Sequence, residues 1–549
     1  MAEPELVKSE KAELDAENNN VDGAPPHIQR RLKARHLEMI AIGGTIGTGL
    51  LKKSGRTIAT AGPLGALLVF AIVGLQVYGV AAGIGEMVTF LPVAGAFSAL
   101  PGRFVNKSLG FATGWVYWLN WALPGEFAAI ATLMTYWVPN SQFPDWIWSG
   151  VFFIPLVIVN SFNVRGFGET EYILSLIKVV VISLFLIVAL AVWFGANSSS
   201  GPLWFTYWNP PIVGSNPATQ FQNFAGAFTT AFYAYSGTEL VGITSAEAQN
   251  PRLSVPRAIN GTFWRVIIFY LGSIFLVGVI LSPTSTTILG ASIADSPFVY
   301  AYNQIGIPSA AGIMNAVIII AATSSANSGF YATSRSLLGL AQQGFAPKIF
   351  GAVNKRGVPY IGLYFTVAFG IIGLIAGYAV GTEYVFDFLS GFVSINAMLA
   401  WVSLSYTHLR FRWAYVAQGR DLSELPYKAP LFPYLDFLSI FIGVFVLVCI
   451  TFGAFDNVTS YNISWLTNNA WVYSGVPLAL ILFLGHALYE GHISGNGYLS
   501  GFKLLPYDQV DFETGRIIET AEEKAAADAV HKRPKNIKEW FEWIRYKLF

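Results

Sequence analysis

Stretches of about 20 mostly apolar residues, parted by short polar connections, recur along the chain, and each is long enough to cross a bilayer as a helix. Twelve are expected, near 38–56, 63–91, 109–137, 146–163, 168–195, 221–246, 264–283, 307–335, 359–380, 384–408, 431–455 and 469–489. Two of them are interrupted in the middle. The first interruption reads Ile42-Gly43-Gly44-Thr45-Ile46-Gly47-Thr48-Gly49, and the second reads Ala234-Tyr235-Ser236-Gly237-Thr238-Glu239-Leu240. Glycine, threonine and a carboxylate suit a plain lipid-facing helix poorly. They suit a place where a helix unwinds and offers its backbone to a solute. Broken helices at matching positions of two halves are the sequence mark of a secondary transporter's binding site.

The breaks also organise the chain. Spans 1–5 (37–195) and spans 6–10 (221–410) form two units, each opening on a broken helix. An odd number of spans per unit inverts the second relative to the first, so an inverted repeat is expected. Spans 11 and 12 (430–489) lie outside the repeat. Residues 1–36 form a polar N-terminal tail with no apolar run of a cleavable signal, and 490–549 form a C-terminal tail.

Composition supports the bilayer. Of 549 residues, 54% are hydrophobic and only 12% charged, against about 25% charged in soluble domains. The net charge of +1 says little about partners, because the charges are sorted by side. Arg30, Arg31, Lys33 and Arg35 precede span 1. The even-numbered connections carry Arg103 and Lys107, Arg252 and Arg257, Lys348, Lys355 and Arg356, then Arg410, Arg412, Arg420 and Lys428. The connections after spans 3, 5, 7, 9 and 11 hold no Lys or Arg. Both termini are therefore expected in the cytosol. Lys52, Lys53 and Arg56, read as following span 1, are the exception. On this orientation the sequons at Asn197, Asn457 and Asn462 face outward, and that at Asn260 faces inward and stays bare. Lys8 and Lys11 are candidate ubiquitin acceptors, which would make ubiquitin ligase adaptors partners of the tail. Lys535 to Phe549 spaces Trp540, Phe541, Trp543, Ile544 and Leu548 among basic residues, as a helix on the membrane surface would; a mobile tail is the alternative. The single cysteine, Cys449, permits no intramolecular disulfide.

An unwound helix frees N–H and C=O groups that lipid cannot satisfy, so a break must face a cavity or a partner. The N–H groups of a helix start suit a carboxylate, and freed carbonyls suit an ammonium. Gly47, Thr48 and Gly49 are the candidate donors, with Thr48 adding a hydroxyl. Carbonyls near Thr45 and Ile46, and near Phe232 and Ala234, are the candidate acceptors. Tyr235, Ser236, Gly237 and Thr238 complete the expected substrate site. The rival reading of Gly43-x-x-x-Gly47 is a close-packing helix face.

Ionisable side chains at mid-bilayer cost on the order of 3 kcal/mol and mark function. Glu86, Glu126, Lys178 and Glu239 stand out. Lys178 suits a fixed cation where another transporter would place sodium. Glu126 and Glu239 suit proton carriers. A static ion pair, or a carboxylate bonded to backbone, is the alternative for each. Asp387, near the end of span 10, reads as wetted loop. Tyr233 and Tyr235 suit gates, as do Trp118 and Trp121, although core packing explains most single aromatics in a chain so rich in them. No phosphate-binding GxxxxGK[ST] loop, nucleophile–base pair or metal-ligand cluster is visible. No cofactor, metal or nucleic-acid partner is expected.

In this order, the motifs resemble the fungal amino acid permeases of the amino acid–polyamine–organocation superfamily. They are RHLEMIAIGGTIGTGLL (Arg35 to Leu51), GEM (Gly85 to Met87), GETEYILSLIKV (Gly168 to Val179) and YSGTELVGITSAEAQNPRLSVPRAI (Tyr235 to Ile259). SANSGFYATSRSLLGLAQQGFAP (Ser325 to Pro347) and HLRFR (His408 to Arg412) follow. The resemblance implies an all-α membrane fold of twelve helices, with a leucine-transporter-like five-plus-five inverted repeat broken at helices 1 and 6. It implies proton-coupled uptake of an L-amino acid at the plasma membrane. By resemblance the carboxylate site maps to Thr48 and Gly49, the amine site to carbonyls flanking the breaks, the sodium-replacing lysine to Lys178 and the span 3 glutamate to Glu126. Leu51 to Arg56 departs from the small uncharged run of many relatives, and the Phe388–Asn396 region matches no specificity class. A sensor of the same fold and an amine or polyamine exchanger are the competing functions.

Overall fold

The computed structural model describes residues 30, 32–41, 46–122, 125–162, 164–196, 201–284, 296–307, 309–456, 463–495 and 497–516. Thr45, the tails with Lys8, Lys11 and 535–549, and the sequons at Asn197, Asn457 and Asn462 fall outside these residues. The described chain is helical apart from connections and one isolated bridge between Leu32 and Ala248. Among the described residues, eight helices are long and apolar enough to cross a membrane, and Trp146–Phe162 is a shorter apolar helix. The remaining spans, 1, 3 and 6, are each described as two shorter helical pieces. Together they make the twelve-span fold, an all-α integral membrane architecture.

Span 1 enters as Ala34–Met39, breaks, and resumes at Thr48–Leu51. It then runs on past 56. The helix Ser54–Phe90 is one continuous run only by bonding, because Gly62 sits at φ +80° with Pro63 behind it. A left-handed glycine followed by a proline ends one helix and starts the next. Span 1 therefore ends near 61 and span 2 covers 63–90. Lys52, Lys53 and Arg56 belong to the far half of span 1, not to a connection as their charge suggested.

Span 3 comprises Lys107–Ala122 and Gly125–Met134; span 4 is Trp146–Phe162 and span 5 is Val164–Trp193. Span 6 is Pro217–Tyr235 and Leu240–Thr244. Asn216 caps its start by accepting from Thr219 N, with Pro217 at the first position. Asn250 and Pro251 repeat the device at the start of span 7. Span 7 thus begins at 251, well before its apolar core, and passes through Pro251–Arg265, a π-helical turn Val266–Leu271 and Gly272–Ile280. Spans 8 to 12 are Ala310–Gln342, Tyr360–Val380, Thr382–Ala417, Tyr434–Asp456 and Ile463–Ile493.

The end of the bundle that carries the termini is closed by several layers. Leu32 N donates to Glu247 O (3.0 Å) and Gln249 N donates to Leu32 O (2.9 Å), pinning the entry of span 1 to the exit of span 6. Beneath them Arg335 Nε and the Tyr331 hydroxyl donate to Glu247, at 3.1 and 2.5 Å. Beyond, residues 497–516 fold back over the same end. Phe512 is buried among Phe90, Phe104, Phe411 and Tyr415. Leu505 N donates to Val105 O (2.8 Å), and Gln418 Nε2 donates to Tyr507 O and Val510 O (both 2.8 Å). Glu86 is here too, gripped by Arg412 Nε and Nη2 (2.6 and 2.7 Å) and by Ala429 N (2.6 Å). That is the static arrangement among the readings of Glu86.

Candidate functional site

The two breaks meet at the centre of the bundle. Gly47 is extended (φ −126°, ψ −160°) and the helix resumes at Thr48, so the first N–H groups of that turn have no intrahelical partner and face the break. In span 6, Gly237 adopts φ +96°, a conformation that glycine takes without penalty. The Glu239 carboxylate folds back to accept from Gly237 N (3.1 Å) and from Trp401 Nε1 (3.2 Å). A Cβ added at Gly49 would lie 2.5 Å from Ala234 Cα, and one at Gly47 would lie 2.8 Å from Ser325 Oγ. Glycine at both positions lets the backbones of spans 1, 6 and 8 approach.

Three hydroxyl and carboxyl groups close a ring over this junction. Thr48 Oγ1 donates to Glu126 Oε2 (3.1 Å), and the Tyr233 hydroxyl donates to Glu126 Oε1 (2.8 Å). The Thr48 and Tyr233 oxygens are themselves 3.0 Å apart. The ring has three contacts, yet the two hydroxyls carry one hydrogen each. Only a protonated carboxyl supplies the third.

Beside the ring lies a cavity of about 70 Å³, several times the ~10–15 Å³ that one water needs. Gly47, Gly49, Glu126, Tyr233, Ala234 and Ser236 line it, with Trp121, Ser325, Phe330 and Thr366. Asn120 also lines it, and its amide nitrogen and oxygen, Trp121 Nε1 and Ser236 Oγ are buried without a hydrogen-bond partner among the described residues. Buried polar atoms are satisfied in the great majority of cases, so four such atoms in residues lining one cavity suit a polar solute.

Above the cavity, Lys53 Nζ pairs with Asp387 (3.0 Å) and donates to Ser390 Oγ. It also lies 4.6 Å from the centre of the Phe386 ring. Ser390 lines the central cavity and also a vestibule of about 410 Å³ reached past Arg56, Tyr384 and Trp471. The Lys53–Asp387 pair is a thin partition between the two, in contrast to the layered closure at the terminal end. Asp387 is thus the helix-borne partner of Lys53: it is solvent-reached as expected, but it stands on span 10 and not in a loop.

Lys178 is fully buried on span 5. Its Nζ donates to Ser324 Oγ (2.7 Å) and lies 3.9 Å from Glu171 Oε1. Ser324 Oγ donates to the same carboxylate, which also accepts from Asn327 Nδ2 (3.2 Å).

A family model described as "Amino acid permease" matches residues 36–492. The chain belongs to this family. The permease is 38% identical to the lysine-specific permease of Lactococcus lactis, over 90% of this chain and 95% of that one. It is 36% identical to the histidine permease of the same organism (88% and 98% covered). Against the general amino-acid permease of Saccharomyces cerevisiae the identity is 33% (91% and 83% covered). The likeness therefore spans bacterial and yeast permeases. It makes this permease a membrane transporter of amino acids and not an enzyme.

Not every expected site residue reaches the cavity of the permease. Gly47, Gly49, Ala234, Ser236, Tyr233 and Glu126 line it, and Thr48 is bonded to two of them. Tyr235 does not: its ring is wholly buried against Phe70 and Tyr270, and its hydroxyl donates to Phe70 O (3.1 Å). A side chain so held is a strut between spans 6, 2 and 7; of the aromatics expected to gate, Tyr233 and Trp121 line the cavity. Ile46 is buried, Phe232 packs on Trp401, and Trp118 donates to Thr366 Oγ1. The expected acceptor carbonyls already have one partner each, Phe232 O from Ser236 N and Ala234 O from the Tyr270 hydroxyl. Thr238 and Glu239 stabilise the break from behind and stand off the cavity wall.

Three participants escaped the sequence reading. Glu171 sits seven residues before Lys178, two helical turns and one face away, which was the available signal. Asn120 and Thr366 carry none.

Proposed function

We propose that this permease is a plasma-membrane symporter of the fungal type. It takes one L-amino acid inward with a proton, by alternating access, with both termini in the cytosol. The observation that carries the reading is the Thr48–Glu126–Tyr233 ring, which lacks one hydrogen for its three contacts. A proton arriving at Glu126 completes the ring at the same place where the substrate's polar ends are held. Completing it draws Thr48 of span 1 and Tyr233 of span 6 onto span 3, which links protonation to closure over the solute. Lys178, paired with Glu171, is a fixed internal cation beside span 8 and removes the need for sodium there. Spans 1, 2, 6 and 7 rock against the remainder. The basic approach to Lys53 on the far side suits capture of the substrate carboxylate.

The test is uptake of a labelled panel of twenty L-amino acids into proteoliposomes, headed by lysine and histidine because relatives bear those names. Each is measured with and without an inward proton gradient. Concentrative, gradient-dependent uptake is expected. Binding without accumulation would replace the symporter with a sensor, and gradient-independent counterflow would replace it with an exchanger.

A further inference from the structure

We propose that Arg265 is a positioning residue for transport: a fixed cation that joins the two broken spans and sets the spacing of the substrate site. The inference rests on the chain being an amino acid permease and is independent of proton coupling.

Arg265 is 1% exposed, in the interior of span 7. A guanidinium at such a depth is retained only where it has partners and a task. Its Nη1 donates to Ala41 O, at the end of the first half of span 1. Its Nη2 donates to Thr238 Oγ1 (2.6 Å), inside the break of span 6. The Thr238 hydroxyl passes the contact on to Tyr235 O (2.7 Å). One planar side chain thus bridges a carbonyl beside one break and a hydroxyl inside the other. The carbonyl end of a half-helix carries partial negative charge, and a cation there is favourable.

A second observation is independent of the first. Five residues on, the Tyr270 hydroxyl donates to Ala234 O (2.9 Å), on the other flank of the same break. In an α-helix, residues five apart point about 140° away from each other. Between these two the helix takes a π turn, Val266–Leu271, whose i→i+5 bonding stacks such residues on one face. The guanidinium accordingly lies 5.9 Å from the centre of the Tyr270 ring, and that ring stacks on Tyr235 at 4.3 Å. The widened turn lets span 7 hold both flanks of the span 6 break and the end of span 1 with one surface.

Carbonyl and hydroxyl oxygens gathered from two unwound segments would equally suit a small inorganic cation. A guanidinium tethered to span 7 fills that role without being bound and released in each cycle. Thr48 and Tyr233, the two hydroxyls that meet Glu126 of span 3, are carried by the same two spans, so their spacing shapes the cavity.

The experiment compares the full chain with Arg265→Lys, Arg265→Met and Tyr270→Phe in proteoliposomes. KM and maximal rate are read under equilibrium counterflow, with and without guanidinium chloride. The Met variant should raise KM about tenfold, with the maximal rate within about threefold, as loss of substrate-site binding predicts. Guanidinium should recover part of that loss, and the Lys variant should fall between. An unchanged KM in a monodisperse Met variant would overturn the proposal. So would equal losses in Lys and Met with no rescue, which is the pattern of simple packing. Should the Met variant not fold, an unchanged KM in both Arg265→Lys and Tyr270→Phe overturns it, and a raised KM in both supports it. If the unsubstituted chain shows no gradient dependence, the symport reading fails and this comparison stands, because counterflow needs no gradient.

Discussion

The Tyr233 hydroxyl lies 2.8 Å from Glu126 Oε1 and 3.0 Å from Thr48 Oγ1, so one phenol touches two polar groups from two other spans. Glu126→Gln gives the ring a permanent extra hydrogen, since the amide donates where the carboxylate cannot. The variant is expected to bind substrate and to support counterflow at rates within about threefold of the parent, the scale of a modest hydrogen-bond change. Acid-driven accumulation should vanish. Accumulation surviving in this variant would remove Glu126 from the proton path.

Lys178 and Glu171 are both fully buried. Removing one partner of a buried pair costs about 3–5 kcal/mol, whereas removing both is far milder. Lys178→Met should therefore lower thermal stability markedly and abolish accumulation. Adding Glu171→Gln should restore the melting temperature without restoring accumulation. Recovery of both by the double variant would make the pair purely structural.

Lys53 and Asp387 form a partly exposed pair, worth about 1 kcal/mol or less. Its importance is as a partition. In a Cys449→Ser background, a Ser390→Cys probe should react with a membrane-impermeant thiol reagent from the vestibule side. Lys53→Ala should speed that reaction several-fold and raise KM modestly. Exchanging the charges, Lys53→Asp with Asp387→Lys, should slow it again. An unaltered labelling rate in Lys53→Ala would show that Tyr233 and Phe386 close the cavity unaided.

Phe512 bridges Phe90 of span 2 and Phe411 of span 10. Phe512→Ala should free the 497–516 segment and speed its limited proteolysis at least tenfold, because a buried Phe→Ala change costs about 3 kcal/mol or more. Uptake per folded molecule should persist. Asp511 does not make this segment an acid switch. Burial would raise the Asp511 carboxyl, but the N–H groups of Thr514 and Glu513 outweigh it and hold it at about 2. A carboxyl lowered in this way stabilises the docked segment above its ordinary value and loses that only as pH falls through about 2. Proteolysis at pH 5 and pH 7 should therefore cut the parent chain at the same rate, once corrected for the protease.

The helical spans and both breaks were legible because each is a local property of about 20 residues. Glu126 and Lys178 were legible because an ionisable group in an apolar run is conspicuous. What escaped depends on contacts distant in sequence. Lys53 and Asp387 each looked like a solvated end because their pairing spans the chain. Tyr235 and Tyr233 share the same neighbourhood in sequence, and only the direction in which the helix turns sends one into the cavity and the other into a strut. The π turn in span 7 leaves no trace in an apolar pattern that continues through it. Arg265 could be assigned only once that turn was seen.

At the junction of spans 1 and 6, Gly49 packs so closely on the Ala234 backbone that a Cβ there would lie 2.5 Å from Ala234 Cα. Two rods in such contact cannot slide or tilt independently. In the proposed alternating-access cycle, the half of span 1 that carries Lys53 and the first part of span 6 move as a single lever, with Lys53 near its tip and Thr48 and Tyr233 at its fulcrum. A push at either place is felt at the other. Shutting the entrance and tightening on the cargo are then one stroke, and a solute too bulky for the grip also holds the door ajar.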